Sequence, residues 1–324
     1  MSLPDPAVSG ARLYWALLRR RSQGITALFV LLGLMMAVYV SLSPGLLSVT
    51  SVAKLAQSWF PLALAAMAQT LVMLTGGIDL TVGAMVSLGS VLAATLVADG
   101  APGVALGLLA VLAAGAGGGA VLGGIVALLR LPAIIVTLAG SFIVSGAALL
   151  VLPRPGGAMP AGVSEALAGD APTALGLLVL TVLAWRLFAG APAGIAIAAA
   201  GDNPAGAFRS GIRVPLAQVS AYAIAGGLSA FAGFFIAAQT GAGDPLIGER
   251  YTLQSITAAV LGGVSFLGGQ GTMRGALAGS LLLLIIIKLI FFLGLPGFAQ
   301  YVAEGLIIVG AMAAQLLRRR EELP

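Results

Sequence analysis

Apolar runs, most of them long enough to cross a bilayer, follow one another from residue 24 to residue 317, with short groups of Gly, Pro or charged residues between them. A helix needs about 20 apolar residues to cross the roughly 30 Å hydrocarbon layer, since each residue advances it by only about 1.5 Å. On that measure the pattern predicts helices over 24–42, 53–75, 80–98, 103–128 and 132–152. The second half predicts 174–190, 214–240, 252–267, 275–293 and 299–317. The run 252–267 is short enough to read equally well as re-entrant. The expectation is an all-α integral membrane protein of about ten transmembrane helices. Residues 1–23 and 318–324 flank a single membrane domain over 24–317.

Charge orients this arrangement. With the N-terminus in the cytosol, the inner segments hold Arg12, Arg19–Arg21, Arg130, Arg186, Arg209, Arg213, Arg274 and Arg318–Arg320. The outer segments hold only Lys54, Arg154 and Arg250, and Lys288 falls inside a span. Cytoplasmic loops carry an excess of Lys and Arg, and two Arg-rich termini on one side require an even number of crossings. Both termini are therefore expected to be cytoplasmic. The apolar stretch 25–40 after Arg19–Arg21 resembles a secretory signal but lacks a small-residue cleavage site, so it is expected to remain as the first helix.

Composition agrees and narrows the chemistry. Of the 324 residues, 60% are hydrophobic and 8% charged, against roughly 25% charged in a soluble domain. Cysteine and histidine are absent. Disulfide frameworks and thiolate metal sites are thereby excluded, and the commonest general base is missing. No cofactor or metal site is expected. The basic excess, 16 against 11, is accounted for by membrane orientation and calls for no nucleic-acid partner.

Four segments interrupt the apolar pattern. The first is Gly76-Gly77-Ile78-Asp79-Leu80-Thr81-Val82-Gly83, where two glycines permit a helix break and Asp79 can cap the N–H groups of the next helix. It reads either as a plain cytoplasmic turn or as irregular backbone shaping a translocation path, since such backbone is tolerated at membrane depth only inside protein or along a wet cavity. The second is the loop 191–214. Within it Asn203 suits an N-cap, Pro204 the first helical position and Gly211 the left-handed C′ position. This predicts a helix of about two turns outside the membrane, offering Phe208 and Arg209 either as a docking element or as a simple surface turn.

The third segment runs from Leu261-Gly262-Gly263 to Gly268-Gly269-Gln270-Gly271-Thr272. It is glycine-rich, yet a phosphate-binding P-loop needs Lys directly after its last Gly, and neither Lys54 nor Lys288 follows a glycine. If ATP drives this protein, another chain hydrolyses it. Gly76, Gly77, Gly83 and Gly89 match Gly262, Gly263, Gly269 and Gly275 at one constant offset, suggesting a duplicated building block. Gly76, Gly77, Asp79, Gly262 and Gly263 are accordingly the candidates for the translocation path. The fourth feature is a pair of intramembrane charges, Lys288 and Glu304, about equally deep on either side of a turn. They are expected to form an ion pair, the other reading being that Lys288 snorkels alone to the outer surface. Finally, Gly115, Gly119 and Gly123 lie four apart, as do Gly275 and Gly279, which predicts close helix packing, the other reading being a substrate path along these faces.

These motifs, in order, resemble the ribose/monosaccharide-type permeases of bacterial ABC importers, within the branched-chain amino acid and sugar permease superfamily. The likeness extends from about residue 25 to 318. It rests on Gly76–Gly83, on Gly201-Asp202-Asn203-Pro204 through Ser210-Gly211-Ile212, and on Gly243-Asp244-Pro245 with Tyr251-Thr252-Leu253 leading into the Gly262–Gly271 segment. The resemblance implies a permease subunit in the bacterial inner membrane. It also implies two cytoplasmic ABC ATPase subunits, a second permease subunit and a periplasmic solute-binding protein. Asn203, Pro204, Phe208, Arg209 and Gly211 would form the coupling helix that enters the ATPase, and the outer loop 152–173 would help receive the binding protein. The chain departs from the pattern at Ile286-Ile287-Lys288-Leu289, where many members are Asn-rich, and at Ala198–Ala200 and Phe208-Arg209 of the coupling loop. A permease for nucleosides or branched-chain amino acids is the alternative, and an ion-coupled secondary transporter a more distant one.

Overall fold

A computed structural model describes residues 26, 28–42, 45, 48–169 and 172–320, with side chains described as far as residue 313. The N-terminal segment 1–23 and residues 321–324 of the tail lie outside the described residues. The described residues are largely helical: α1 (Leu28–Leu42), α2 (Val49–Leu74), α3 (Val82–Leu96), α4 (Ala101–Leu129), α5 (Ala133–Val151), α6 (Ala161–Ala168) and α7 (Thr173–Gly190). Then come α8 (Pro192–Asp202), α9 (Pro204–Arg209), α10 (Val214–Thr240), α11 (Glu249–Leu261), α12 (Met273–Phe292) and α13 (Phe298–Arg320). No strand forms among the described residues; one antiparallel bridge joins Gly156 to Gly243.

Among the described residues six helices, α2, α4, α5, α7, α10 and α12, are long and apolar enough to cross a membrane. Of the other expected spans, α1, α3 and the stretch Phe298–Ala313 of α13 are apolar, and α11, with 13 residues, is short and includes Glu249, Arg250 and Gln254. At about 1.5 Å per residue α11 extends only about 20 Å, and Gly263 ends it before the predicted limit of 267. The membrane character is also visible on the surface. Leu106 on α4, Phe142, Ile143 and Leu150 on α5, and Leu187 on α7 are exposed over most of their surface. A water-soluble monomer does not present such continuous apolar faces.

α2 and α10 form the centre, with α3, α4 and α11 packed around them. Because lipid is as apolar as the side chains, close van der Waals packing must hold such helices together. Small residues supply it. Gly115 and Gly119 of α4 lie directly against Gly226 and Tyr222 of α10; a methyl group at Gly119 would come within 2.1 Å of the Tyr222 carbonyl oxygen. Gly275 and Gly279 of α12 do the same against Gly262 and Ala258. Both glycine rows predicted from the sequence thus lie at helix contacts. Phe60 of α2 meets Phe235 edge-on at a centroid distance of 4.7 Å, an arrangement worth about 1 kcal/mol beyond the area it buries. Pro61 inside α2 cannot donate to the Gln57 carbonyl one turn back, and the Gln239 amide of α10 donates there instead, at 3.2 Å.

The loop 191–214 departs from expectation. Instead of a polar loop carrying one short helix, it holds two helices, α8 and α9. Pro192 at the first helical position and the Ala- and Ile-rich stretch that follows favour α8, and its Ile197 and Ala200 are buried against the bundle.

Candidate functional site

Each of the three glycine-bearing motifs ends or begins a helix through local chemistry. At the end of α2, Gly76 adopts φ +84°, its N–H donates to Met73 O and the Gly77 N–H to Val72 O. These are the two bonds of a Schellman cap, which needs a left-handed residue at the position Gly76 occupies. At the end of α11 the same cap recurs: Gly263 has φ +79°, its N–H donates to Val260 O and the Val264 N–H to Ala259 O. The structural match therefore pairs Gly76 with Gly263, one residue out of step with the sequence repeat. Only one glycine of each pair is needed for the cap. Gly77 and Gly262 are required by packing instead: a methyl group would come within 2.5 Å of the Tyr222 hydroxyl at the first and within 2.4 Å of the Gly275–Ala276 backbone at the second.

Asp79 is buried, with 2% of its surface exposed, while Gly76 of the same segment is exposed. Its Oδ1 accepts from the Thr81 N–H at 2.8 Å and from the Thr81 hydroxyl. The expected cap on the first turn of α3 is not made; the carboxylate closes the turn just ahead of the helix, and Thr81 offers α3 no side-chain cap. The backbone of Asp79 is held by Gln69 of α2. Its amide, oriented so that both ends are satisfied, donates to the Asp79 carbonyl at 2.8 Å and accepts from its N–H at 3.3 Å. The Thr137 hydroxyl of α5 lies 3.0 Å from the Ile78 carbonyl oxygen and donates to it, shared with Ala133 O of its own helix. Gln69, Thr137 and Tyr222 are the partners that sequence reading missed. A fully buried glutamine in an otherwise apolar stretch was the one signal available for them.

At α9 the expected caps are present. The Asn203 side chain accepts from the Gly206 N–H at 2.9 Å, Pro204 occupies the first helical position, and Gly211 has φ +83°. Phe208 is 74% exposed and Arg209 is exposed beside it. A notch of about 310 Å³ lies alongside, lined by Ala193, Ala196, Gly211–Arg213 and Leu216.

These motifs, far apart in sequence, meet. The Gly269 N–H donates to Leu74 O, the last carbonyl of α2, at 3.0 Å. Gly201 at the end of α8 lies so close to Leu74 that a methyl group there would fall 1.6 Å from the same oxygen. Gly268 is packed on the Gly76 backbone and Gly269 on Asp202. One knot of backbone contacts thus joins the end of α2, the loop after α11 and the residues just before α9.

The opposite ends of α2, α11 and α12 border a cavity of about 460 Å³. At about 1.5 Å per residue it lies roughly 20 Å along these helices from the knot. Ser58, Gln239, Arg250, Tyr251, Gln254, Lys288 and Gln300 contribute polar groups to its wall. The expected Lys288–Glu304 ion pair does not form. Glu304, 1% exposed, accepts at Oε1 from the amides of Gln254 (3.3 Å) and Gln300 (2.8 Å), and its Oε2 has no partner. Two neutral donors satisfy one carboxylate oxygen inside the protein, while Lys288 faces the cavity. Gly76, Gly77, Asp79, Gly262 and Gly263 line neither this cavity nor the notch beside α9.

An all-helical bundle with lipid-type faces, a capped helix at one end and a polar cavity at the other defines an integral membrane protein. The chain belongs to the family described as branched-chain amino acid transport system / permease component, whose pattern matches residues 51–312. It is 33% identical to the autoinducer 2 import system permease protein of Salmonella typhi, over 89% of this chain and 82% of that one. It is 31% identical to the ribose import permease protein of Escherichia coli K12, over 94% of this chain and 96% of that one. The ribose import permease protein of Haemophilus influenzae is 29% identical over 88% and 91%. No solved structure matches.

Proposed function

We propose that this chain is the membrane-spanning permease subunit of a binding-protein-dependent ABC importer, moving a monosaccharide or sugar-like solute by ATP-driven alternating access. The observation that carries the reading is the knot. α9 offers Phe208 and Arg209 to the outside, and the residues just before it, Gly201 and Asp202, are packed on the ends of the central helix α2 and of the loop after α11. A push on α9 is thereby delivered to the two helix breaks without passing through a flexible link. The Gly76–Asp79 and Gly262–Gly263 breaks are the inner hinges of the translocation path in this reading.

The topology that goes with it has ten membrane segments and both termini in the cytosol of a bacterial inner membrane. The basic residues support it, since Arg130, Arg186, Arg209, Arg213 and Arg274 then share one side with both Arg-rich ends. Of the short helices, α3 is packed on α10 and α11 on α2, inside the bundle. ATP hydrolysis belongs to separate cytoplasmic subunits, because the chain has no P-loop. A second permease subunit and a periplasmic binding protein, received at the loop that carries α6, complete the assembly. Importers of ribose and autoinducer 2 are the activities named for the relatives, and they favour a sugar-like solute over a nucleoside or an amino acid.

The test uses the assembled complex in proteoliposomes. Deleting 204–210, or changing Gly211→Pro, is expected to abolish stimulation of ATP hydrolysis by the loaded binding protein while membrane insertion persists. Undiminished stimulation would overturn the role given to α9. Orientation is checked separately: the chain has no cysteine, so Arg209→Cys gives a single label site. Labelling of that site from outside intact cells would overturn the topology.

A further inference from the structure

The cavity bordered by α2, α11, α12 and α13 contains more chemistry than packing requires. Charges inside membrane segments are costly and are found paired or facing water-filled cavities. Lys288, inside α12, faces this one, and Arg250 borders it from the exposed first turn of α11; neither is ion-paired among the described residues, and Arg250 lies over the Tyr251 ring at 5.9 Å. The nearest carboxylate, Glu304, is turned to Gln254 and Gln300. Each of those amides commits one of its two N–H groups to Glu304, which fixes the amide and leaves its carbonyl oxygen and a second N–H for a ligand. The wall therefore combines two cations with two fixed hydrogen-bond acceptors beside an aromatic ring. Acceptors suit the hydroxyls of a polyol, and unneutralised Lys and Arg suit a carboxylate or phosphate. A volume of about 460 Å³ is within the range of small-molecule sites.

We propose that this cavity is a solute site for a small polyhydroxylated anion, a sugar acid or a sugar phosphate. Its hydroxyls donate to the Gln254 and Gln300 carbonyl oxygens and its anionic group lies between Lys288 and Arg250. The inference rests on the importer reading and narrows its solute. A phospholipid headgroup carries the same anionic chemistry, and the test separates the two.

The full-length chain is placed in nanodiscs of phosphatidylcholine, and binding of ribose, ribonate and ribose 5-phosphate is measured by saturation-transfer NMR. Ribonate or ribose 5-phosphate is expected to bind at least about tenfold more tightly than ribose, the scale of one charge-assisted hydrogen bond. The double variant Lys288→Gln/Arg250→Gln should lose that preference with an unchanged thermal midpoint. Gln254→Leu should weaken all three probes alike. Equal binding of neutral and anionic probes, no binding of any, or a preference that survives in the double variant overturns the proposal. So does displacement of ribonate by added phosphatidylglycerol that copurifies with the parent chain and not with the double variant, which would make the cavity a headgroup site. These outcomes are independent of the α9 experiment, which alone decides whether the chain couples to an ATPase.

Discussion

The breaks after α2 and after α11 end their helices identically and then diverge. Both use a left-handed glycine in a Schellman cap. After Gly76 the chain is held by groups from elsewhere: Gln69 on the Asp79 backbone, Thr137 on Ile78, and the Tyr222 ring over Gly77. After Gly263 the loop closes through backbone and its own side chains, with the Ser265 N–H on Gln270 O at 2.9 Å and Thr272 capping α12 through Gly275 N–H at 3.1 Å, and it reaches α2 through the Gly269 N–H on Leu74 O. The outcomes differ accordingly. α11 and α12 return as a close pair through Gly262, Gly275 and Gly279, whereas α2 and α3 scarcely touch and α3 packs on α10 and α5. Identical caps decide only that a helix ends. Where the chain goes next is decided by the side chains that receive it.

The knot between the two breaks is where the largest effect is expected. Gly201→Val places a branched side chain on the Leu74 carbonyl, and a clash with backbone has no rotamer escape; a loss of about 3 kcal/mol or more is expected. The thermal midpoint of the purified chain in detergent should fall, and the assembled complex should lose ATPase stimulation. A stable, fully coupled Gly201→Val protein would remove the link proposed between α9 and the hinges.

Next in size is Asp79→Ala, which leaves the buried Thr81 N–H and hydroxyl without an acceptor at an expected cost of about 2 kcal/mol. Its counterpart in the second break, Ser265→Ala, removes only an acceptor for the exposed Leu267 N–H and should cost less than about 0.5 kcal/mol. Equal costs would mean the two loops are held alike.

Gly76→Ala and Gly263→Ala should each cost about 1–2 kcal/mol, since both positions have positive φ and a methyl group finds no contact closer than 3.8 Å at either. Gly77→Ala is different, because it meets the Tyr222 hydroxyl. That hydroxyl has no hydrogen-bond partner, so Tyr222→Phe should be nearly neutral on its own and should restore about 1 kcal/mol in the Gly77→Ala background. Additive single and double variants would place the Gly77 constraint elsewhere.

Helix positions were legible in the sequence because apolar run length is a direct consequence of the lipid environment. The caps of α9 were legible because Asn203, Pro204 and Gly211 act within a few residues of themselves. Other features were not. Pro192 marked the start of α8, but burial of Ile197 and Ala200 on a distant surface is what makes that stretch a packed helix. Lys288 and Glu304 were set at matching depth by residue counting, yet depth says nothing of azimuth, and two glutamines on other turns reached the carboxylate first. The glycine repeat identified the two breaks and misaligned them by one residue, since glycines needed for a cap and glycines needed for contact look the same in a string of letters.

The order of residues by itself determined that this is a membrane-embedded helical protein with no P-loop in its sequence, roughly where its long apolar helices lie, and which short helix is capped. These are matters of composition, of hydrogen bonds that close within one turn, and of the 1.5 Å rise of a helix. Only the tertiary structure decided that Leu74, Gly201 and Gly269 share one contact, that Gln69 holds Asp79, and that Lys288 and Arg250 face a common cavity. Each of those joins residues from different helices, and their meeting depends on how whole helices cross, which no local pattern encodes.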